Sequence, residues 1–98
     1  MAAAAPTGGP ARLTAWVHGY VQGVGFRWWT RSRALELGLV GYASNAPDGR
    51  VCVVAEGAAA DCLKLLALLR SGTTPGRVDL VVENWDAAKN DMSGFEER

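Results

Sequence analysis

Between Leu13 and His18, apolar Leu13, Ala15 and Val17 alternate with Thr14, Trp16 and His18. This period of two predicts a half-buried first strand over about Arg12 to His18. The period then changes: Phe26, Thr30, Ala34 and Leu37 fall at i, i+4, i+8 and i+11, one face of a helix over Gly25 to Leu37, with Gly38 placed as its C′ stop. Val40 to Asn45 reads as a second strand, ended by Ala46-Pro47-Asp48-Gly49, where proline suits the first corner of a type I turn and glycine the left-handed position after it. A third strand follows over Arg50 to Glu56, with Val51, Val53 and Ala55 on the core face and Cys52, Val54 and Glu56 on the other, less buried one. Cys62, Leu65, Leu66 and Leu69 then mark a second helix over Ala58 to Arg70. After a loop, SGTTPG from Ser71 to Gly76, alternation returns from Arg77 to Glu83 as a fourth strand. Phe95 offers an anchor for a short final strand between Met92 and Glu97.

The order is strand, helix, strand, strand, helix, strand, with a fifth strand at the end. It predicts an α+β sandwich, βαββαβ, with two helices packed on one face of a four- to five-stranded antiparallel sheet, the ferredoxin-like arrangement. Ninety-eight residues suffice for one core. Residues 1–10, alanine-rich and without a basic stretch or a long apolar run, read as a disordered tail rather than a signal peptide, leaving 11–98 as the folded domain. No stretch is long and apolar enough for a membrane helix. The expected location is the cytoplasm.

Charge changes the picture in one respect. The chain carries ten basic and ten acidic residues, yet residues 1–50 are net +3 and residues 51–98 net −3. Zero overall charge argues against a nucleic-acid partner, which calls for a basic stripe. The positive half also holds the most distinctive stretch, HGYVQGVGFRWWT from His18 to Thr30. Its glycines, Gly19, Gly23 and Gly25, permit close approach to the backbone. No Ser, Thr, Asp or Asn precedes Phe26 to cap the helix, so its first amides need another acceptor. An anion would serve. Arg27 in that first turn opposes the helix dipole at a cost of about 0.3–1 kcal/mol, a placement that suits a guanidinium fork facing phosphate or carboxylate. Taken alone, such an arginine is an ordinary surface residue.

Neither of the better-known phosphate loops fits. A dinucleotide fingerprint needs glycine where Trp28 stands, and a Walker loop needs a Gly-Lys-Ser/Thr ending. His18, the single histidine, lies on a strand without an acidic or cysteine neighbour in sequence and is expected to be a strand side chain on the less buried face. Cys52 and Cys62 make no metal or disulfide pattern and read as structural.

Val17 to Arg27, VHGYVQGVGFR, resembles the defining motif of the acylphosphatase family, and Gly41 to Val51, GYASNAPDGRV, resembles its second motif, with Asn45 eighteen residues after Arg27 as in the family. The resemblance covers about Leu13 to Val82. Departures are small: Ala43 replaces a larger strand residue, Thr73-Thr74 interrupts the usual Gly-Pro, and the closing Phe95-Glu96-Glu97-Arg98 is more acidic. The resemblance implies the ferredoxin-like fold and hydrolysis of the carboxyl–phosphate bond of small acyl phosphates. It implies that the backbone amides of Gly19, Tyr20, Val21, Gln22, Gly23, Val24 and Gly25, with Arg27, hold the phosphoryl group, that Asn45 orients the attacking water, and that no metal or cofactor takes part. Inorganic phosphate or sulfate would occupy the same site. Gln22 receives no chemical step of its own.

Phosphoryl transfer from a good leaving group depends on positioning and charge stabilisation, so an arginine, a ring of amides and one water-orienting amide side chain are sufficient equipment. An asparagine before a turn is by itself ordinary turn chemistry. Other readings stay open on the sequence: a carbamoyl-phosphate-handling module of the hydrogenase-maturation type, which the length and the absence of following zinc-type cysteines disfavour; a non-catalytic anion or RNA module using Trp16, Trp28 and Trp29 as stacking platforms; and a regulator that keeps the fold without activity. Trp28 and Trp29 are expected to pack their helix. A monomer is expected, because the fold encloses its own core.

Overall fold

The computed structural model describes residues 9–98. The expected tail lies outside the described residues for positions 1–8, while Pro10 opens the first strand and pairs with Ala58. β1 runs Pro10–Tyr20, α1 Phe26–Glu36, β2 Val40–Asn45, β3 Val51–Ala58, α2 Ala59–Leu69, β4 Arg77–Ala87 and β5 Phe95–Glu97. Leu13, Ala15 and Val17 of β1 are fully buried beneath the helices, as the alternation requires. His18 lies on the opposite, half-buried face.

The sheet order is β4-β1-β3-β2-β5. β1 pairs antiparallel with β3 and β4, and β2 with β3, whereas β5 joins β2 in parallel. The sheet is therefore mixed rather than wholly antiparallel. The connection after β4 carries the chain from one edge to the other, so β5 arrives running alongside β2. Both helices lie on one face, α1 over β2 and β5, α2 over β1 and β3. Phe26, Thr30 and Ala34 of α1 and Cys62, Leu65, Leu66 and Leu69 of α2 close the core against Val51, Val53, Ala55 and Val81.

Three strands outrun their expected limits, β3 by the two residues from Gly57 to Ala58. β1 begins at Pro10 and reaches Tyr20, and β4 continues four residues past Glu83 because Trp85 is 5% exposed and its indole donates to Glu83 Oε2 at 2.7 Å. Asn84 and Asp86, poor strand formers, hide that extension in the sequence. On β3, Val54 and Glu56 are buried although they sit on the outward face. β3 is the central strand, so neighbours on both sides cover that face too. α1 ends as expected: Gly38 N donates to Leu35 O at 3.0 Å and Leu39 N to Ala34 O at 2.9 Å, a Schellman stop.

Both cysteines are free. Burial pushes the Cys62 thiol up to about 11, with Asp61 and Glu56 adding to the shift, and burial also raises Cys52, which Arg50 partly offsets. Thiolate is the reactive form. At pH 7.5 iodoacetamide is expected to leave Cys62 unmodified in the native protein and to modify it within minutes in urea, as peptide mass mapping would show; rapid native labelling of Cys62 would contradict this burial.

Candidate active site

β1 delivers the chain to the glycine loop through a register shift against β4 at His18/Gly19. Gly19 has φ 139, and a Cβ there would collide with the Arg77 main-chain oxygen, so glycine is required for the loop to leave β1 against the start of β4. At the other end Gly25 is the N-cap of α1 in the left-handed region, φ 83, and provides no side-chain cap. Val21 is buried and anchors the loop, while Tyr20, Gly23 and Gly25 are exposed and Gln22 and Val24 half-buried. Among the described residues, no acceptor takes a hydrogen bond from the amides of residues 21 to 28. They gather where the helix dipole is positive, which suits an anion.

Arg27 is half-buried in the first turn of α1. Its Nη1 donates to the main-chain oxygen of Arg98 at 2.6 Å, and Arg31, one turn on, donates through Nε to Phe95 O at 2.9 Å. The same Arg98 oxygen accepts from the Asn45 amide at 3.1 Å. Two residues from separate motifs are thus brought together at one atom, on the residue that follows β5. Asn45 is the exposed last residue of β2, so its side chain is free to reach a ligand at the sheet's end.

The turn after Asn45 is held from within and from the loop. Ala46 N donates to Arg50 O at 2.8 Å, and Asp48 accepts from the Arg50 amide at 3.1 Å and from Arg50 Nε at 2.7 Å. The Arg50 amide, together with the guanidinium, holds the Asp48 carboxyl below its ordinary value. The Gln22 side chain crosses from the glycine loop: its Nε2 donates to Ala46 O at 2.8 Å and to Arg50 O at 3.0 Å. The sequence pattern assigns Gln22 no chemical step and Arg98 no role. Neither contact has a local signal, since the partners lie 24 to 71 residues apart.

The tryptophans do not form a shared platform. Trp16 lies on the sheet face away from the helices, under the Arg50 guanidinium at 4.2 Å, whereas Trp28 and Trp29 belong to α1 on the other side. Trp29 packs on Phe26 with ring centroids 6.2 Å apart, but Trp28 is 59% exposed and does not pack the helix as expected. Trp28 points away because Phe26, Thr30 and Ala34 already define the buried stripe. Among the described residues, no three potential metal-ligating side chains come together, and no helix is long and apolar enough to cross a membrane.

A ferredoxin-like sheet with an uncapped helix start, a glycine loop and an arginine beside an exposed asparagine defines a small α+β sandwich with hydrogen-bond donors gathered at one end. The acylphosphatase family pattern matches residues 13–97. An acylphosphatase of Nocardia farcinica is 74% identical over 91 residues, 93% of this chain and 91% of that one. The crystal structure of acylphosphatase from Bacillus subtilis superposes with a TM-score of 0.84 at 26% identity, covering 90% of this chain and 98% of that one. Full-length HypF, in its phosphate- and nucleotide-bound form, shares the fold at 20% identity and TM-score 0.83, but this chain corresponds to 12% of it. The chain belongs to the acylphosphatase family.

Proposed function

We propose that the amides of residues 19–25 and Arg27 hold the phosphoryl group of an acyl phosphate, and that Asn45 orients the water that attacks phosphorus. The overall reaction is that of the family: acyl phosphate and water give carboxylate and phosphate. The observation that carries the residue assignment is the meeting of Arg27 and the Asn45 amide at the Arg98 oxygen, beside the uncapped start of α1.

The departing carboxylate is the conjugate base of an acid with a pKa of about 4, so it leaves without a proton donor. Negative charge on the equatorial oxygens is met by the guanidinium and by amides already aimed at it, so little reorganisation is needed during the reaction. The Asn45 side chain carries both a donor and an acceptor, and can grip the water while it touches substrate. The water's proton passes to a phosphate oxygen, which is why His18, on its strand, has no role. In this reading the enzyme acts as a monomer with one folded domain over 11–98, in the cytoplasm, without metal or cofactor. Inorganic phosphate and sulfate compete for the same site. Its substrates are small molecules, not nucleic acids or membranes.

The test is hydrolysis of benzoyl phosphate at neutral pH with and without EDTA. Equal turnover in both, inhibited competitively by inorganic phosphate, is the expected result. Absence of turnover by folded protein, or its loss with EDTA, would overturn the reading.

A further inference from the structure

Gln22 sits in the loop assigned to phosphate, yet its side chain faces the hairpin assigned to water. The amide group has two protons, and each is used: one bond goes to Ala46 O at 2.8 Å, the other to Arg50 O at 3.0 Å. Those oxygens are the two feet of the turn that follows Asn45, themselves joined by Ala46 N to Arg50 O at 2.8 Å. Ala46 is bonded directly to Asn45. One side chain therefore ties the element that grips phosphate to the residue that directs water, across 24 to 28 residues of sequence.

We propose that Gln22 is a positioning residue that sets the distance and angle between Asn45 and the bound phosphoryl group, through its paired bonds to Ala46 O and Arg50 O. The inference rests on the assignment of Arg27 and Asn45 made above. Gripping phosphate needs the loop amides and Arg27, whose geometry is set by Gly19, the α1 cap and β5. Aligning the water needs Asn45 at a fixed place relative to that phosphate. Loss of the Gln22 bridge should therefore affect the chemical step and spare phosphate affinity. A misplacement of about 1 Å is enough to lower a rate by about 100-fold.

The experiment is a double-mutant cycle read in kcat for benzoyl phosphate and in Ki for inorganic phosphate. Gln22→Met keeps the side chain's length and removes both donors; Gln22→Ala removes the bulk as well. Each is expected to lower kcat by about 10- to 100-fold and to leave Ki within about twofold. In the Asn45→Ala background the same substitutions should change kcat by less than about twofold, because the residue through which Gln22 acts is gone. Equal losses in both backgrounds, an unchanged kcat, or a raised Ki with kcat intact would overturn the proposal. A further check needs no variant: in the native protein the Gln22 side-chain amide protons should exchange with solvent more slowly than those of an exposed glutamine, and free exchange would overturn it. Failure of the underlying site assignment reads differently, as full activity of Arg27→Ala or Asn45→Ala.

Discussion

Replacing Arg27 by alanine is expected to lower kcat/KM for benzoyl phosphate by about 1,000-fold or more, while the protein stays folded. Removing one preorganised donor to a transition-state oxyanion costs about 100- to 1,000-fold, and Arg27 supplies a charge and a planar fork besides. The stability cost should be small. The residue is half-buried, and its one main-chain contact, to Arg98 O, is worth about 1.5–3 kcal/mol at most. Removing a cation from a helix N-terminus returns about 0.3–1 kcal/mol of that. Arg27→Lys should rescue little, because an ammonium cannot engage two phosphoryl oxygens in the plane of a fork. Steady-state kinetics beside a thermal melt check this: activity within tenfold of the unmutated protein would contradict the role, and collapse of the fold would show that Arg27 is structural.

The largest expected effect on stability lies elsewhere. Glu56 is 3% exposed and ion-paired through Oε2 with Arg12 Nε at 3.3 Å, itself 15% exposed. Its carboxylate also accepts from Lys89 N at 3.2 Å and Asn90 N at 3.1 Å, and so organises the connection between β4 and β5, where Asn90 takes φ 57. Glu56→Ala would strand a nearly buried guanidinium and two amides. Breaking such a pair costs about 3–5 kcal/mol, which for a domain of this size lowers Tm by about 12 °C or more. The loss should reach the site, because the connection delivers β5 to Arg27 and Asn45. A thermal melt that moves by less than a few degrees would show that the buried pair contributes little.

Most of the architecture was readable because the first three strands and both helices carry a clean period. β2 runs from Val40 to Asn45 as expected, and the helix limits differ by one residue at each end. Two of the misreadings share a cause: tertiary burial overrode local pattern. Trp85 extends β4 through Asn84 and Asp86, and the central position of β3 buries Val54 and Glu56 on what looked like an outer face. β5 is three residues long and acidic, and Phe95, 4% exposed, is what seats it; burying such a ring contributes about 1.5–3 kcal/mol, which no propensity scale registers. At the candidate site, motif and spacing single out Arg27 and Asn45. The bonds that hold them, from Arg98 O and the Gln22 amide, join residues far apart in sequence and leave no periodic trace.

Phosphate binding itself decides whether an oxyanion sits against residues 19–25 and Arg27, within reach of Asn45. Titrating the nitrogen-15-labelled protein with inorganic phosphate tests it most directly. The largest saturable shifts are expected on the amides of residues 19–25 and the first turn of α1, on Arg27 Nε and on the Asn45 side-chain amide. Saturable shifts centred elsewhere, for example around Arg70 and Arg77, or an unperturbed loop at saturating phosphate, would contradict it.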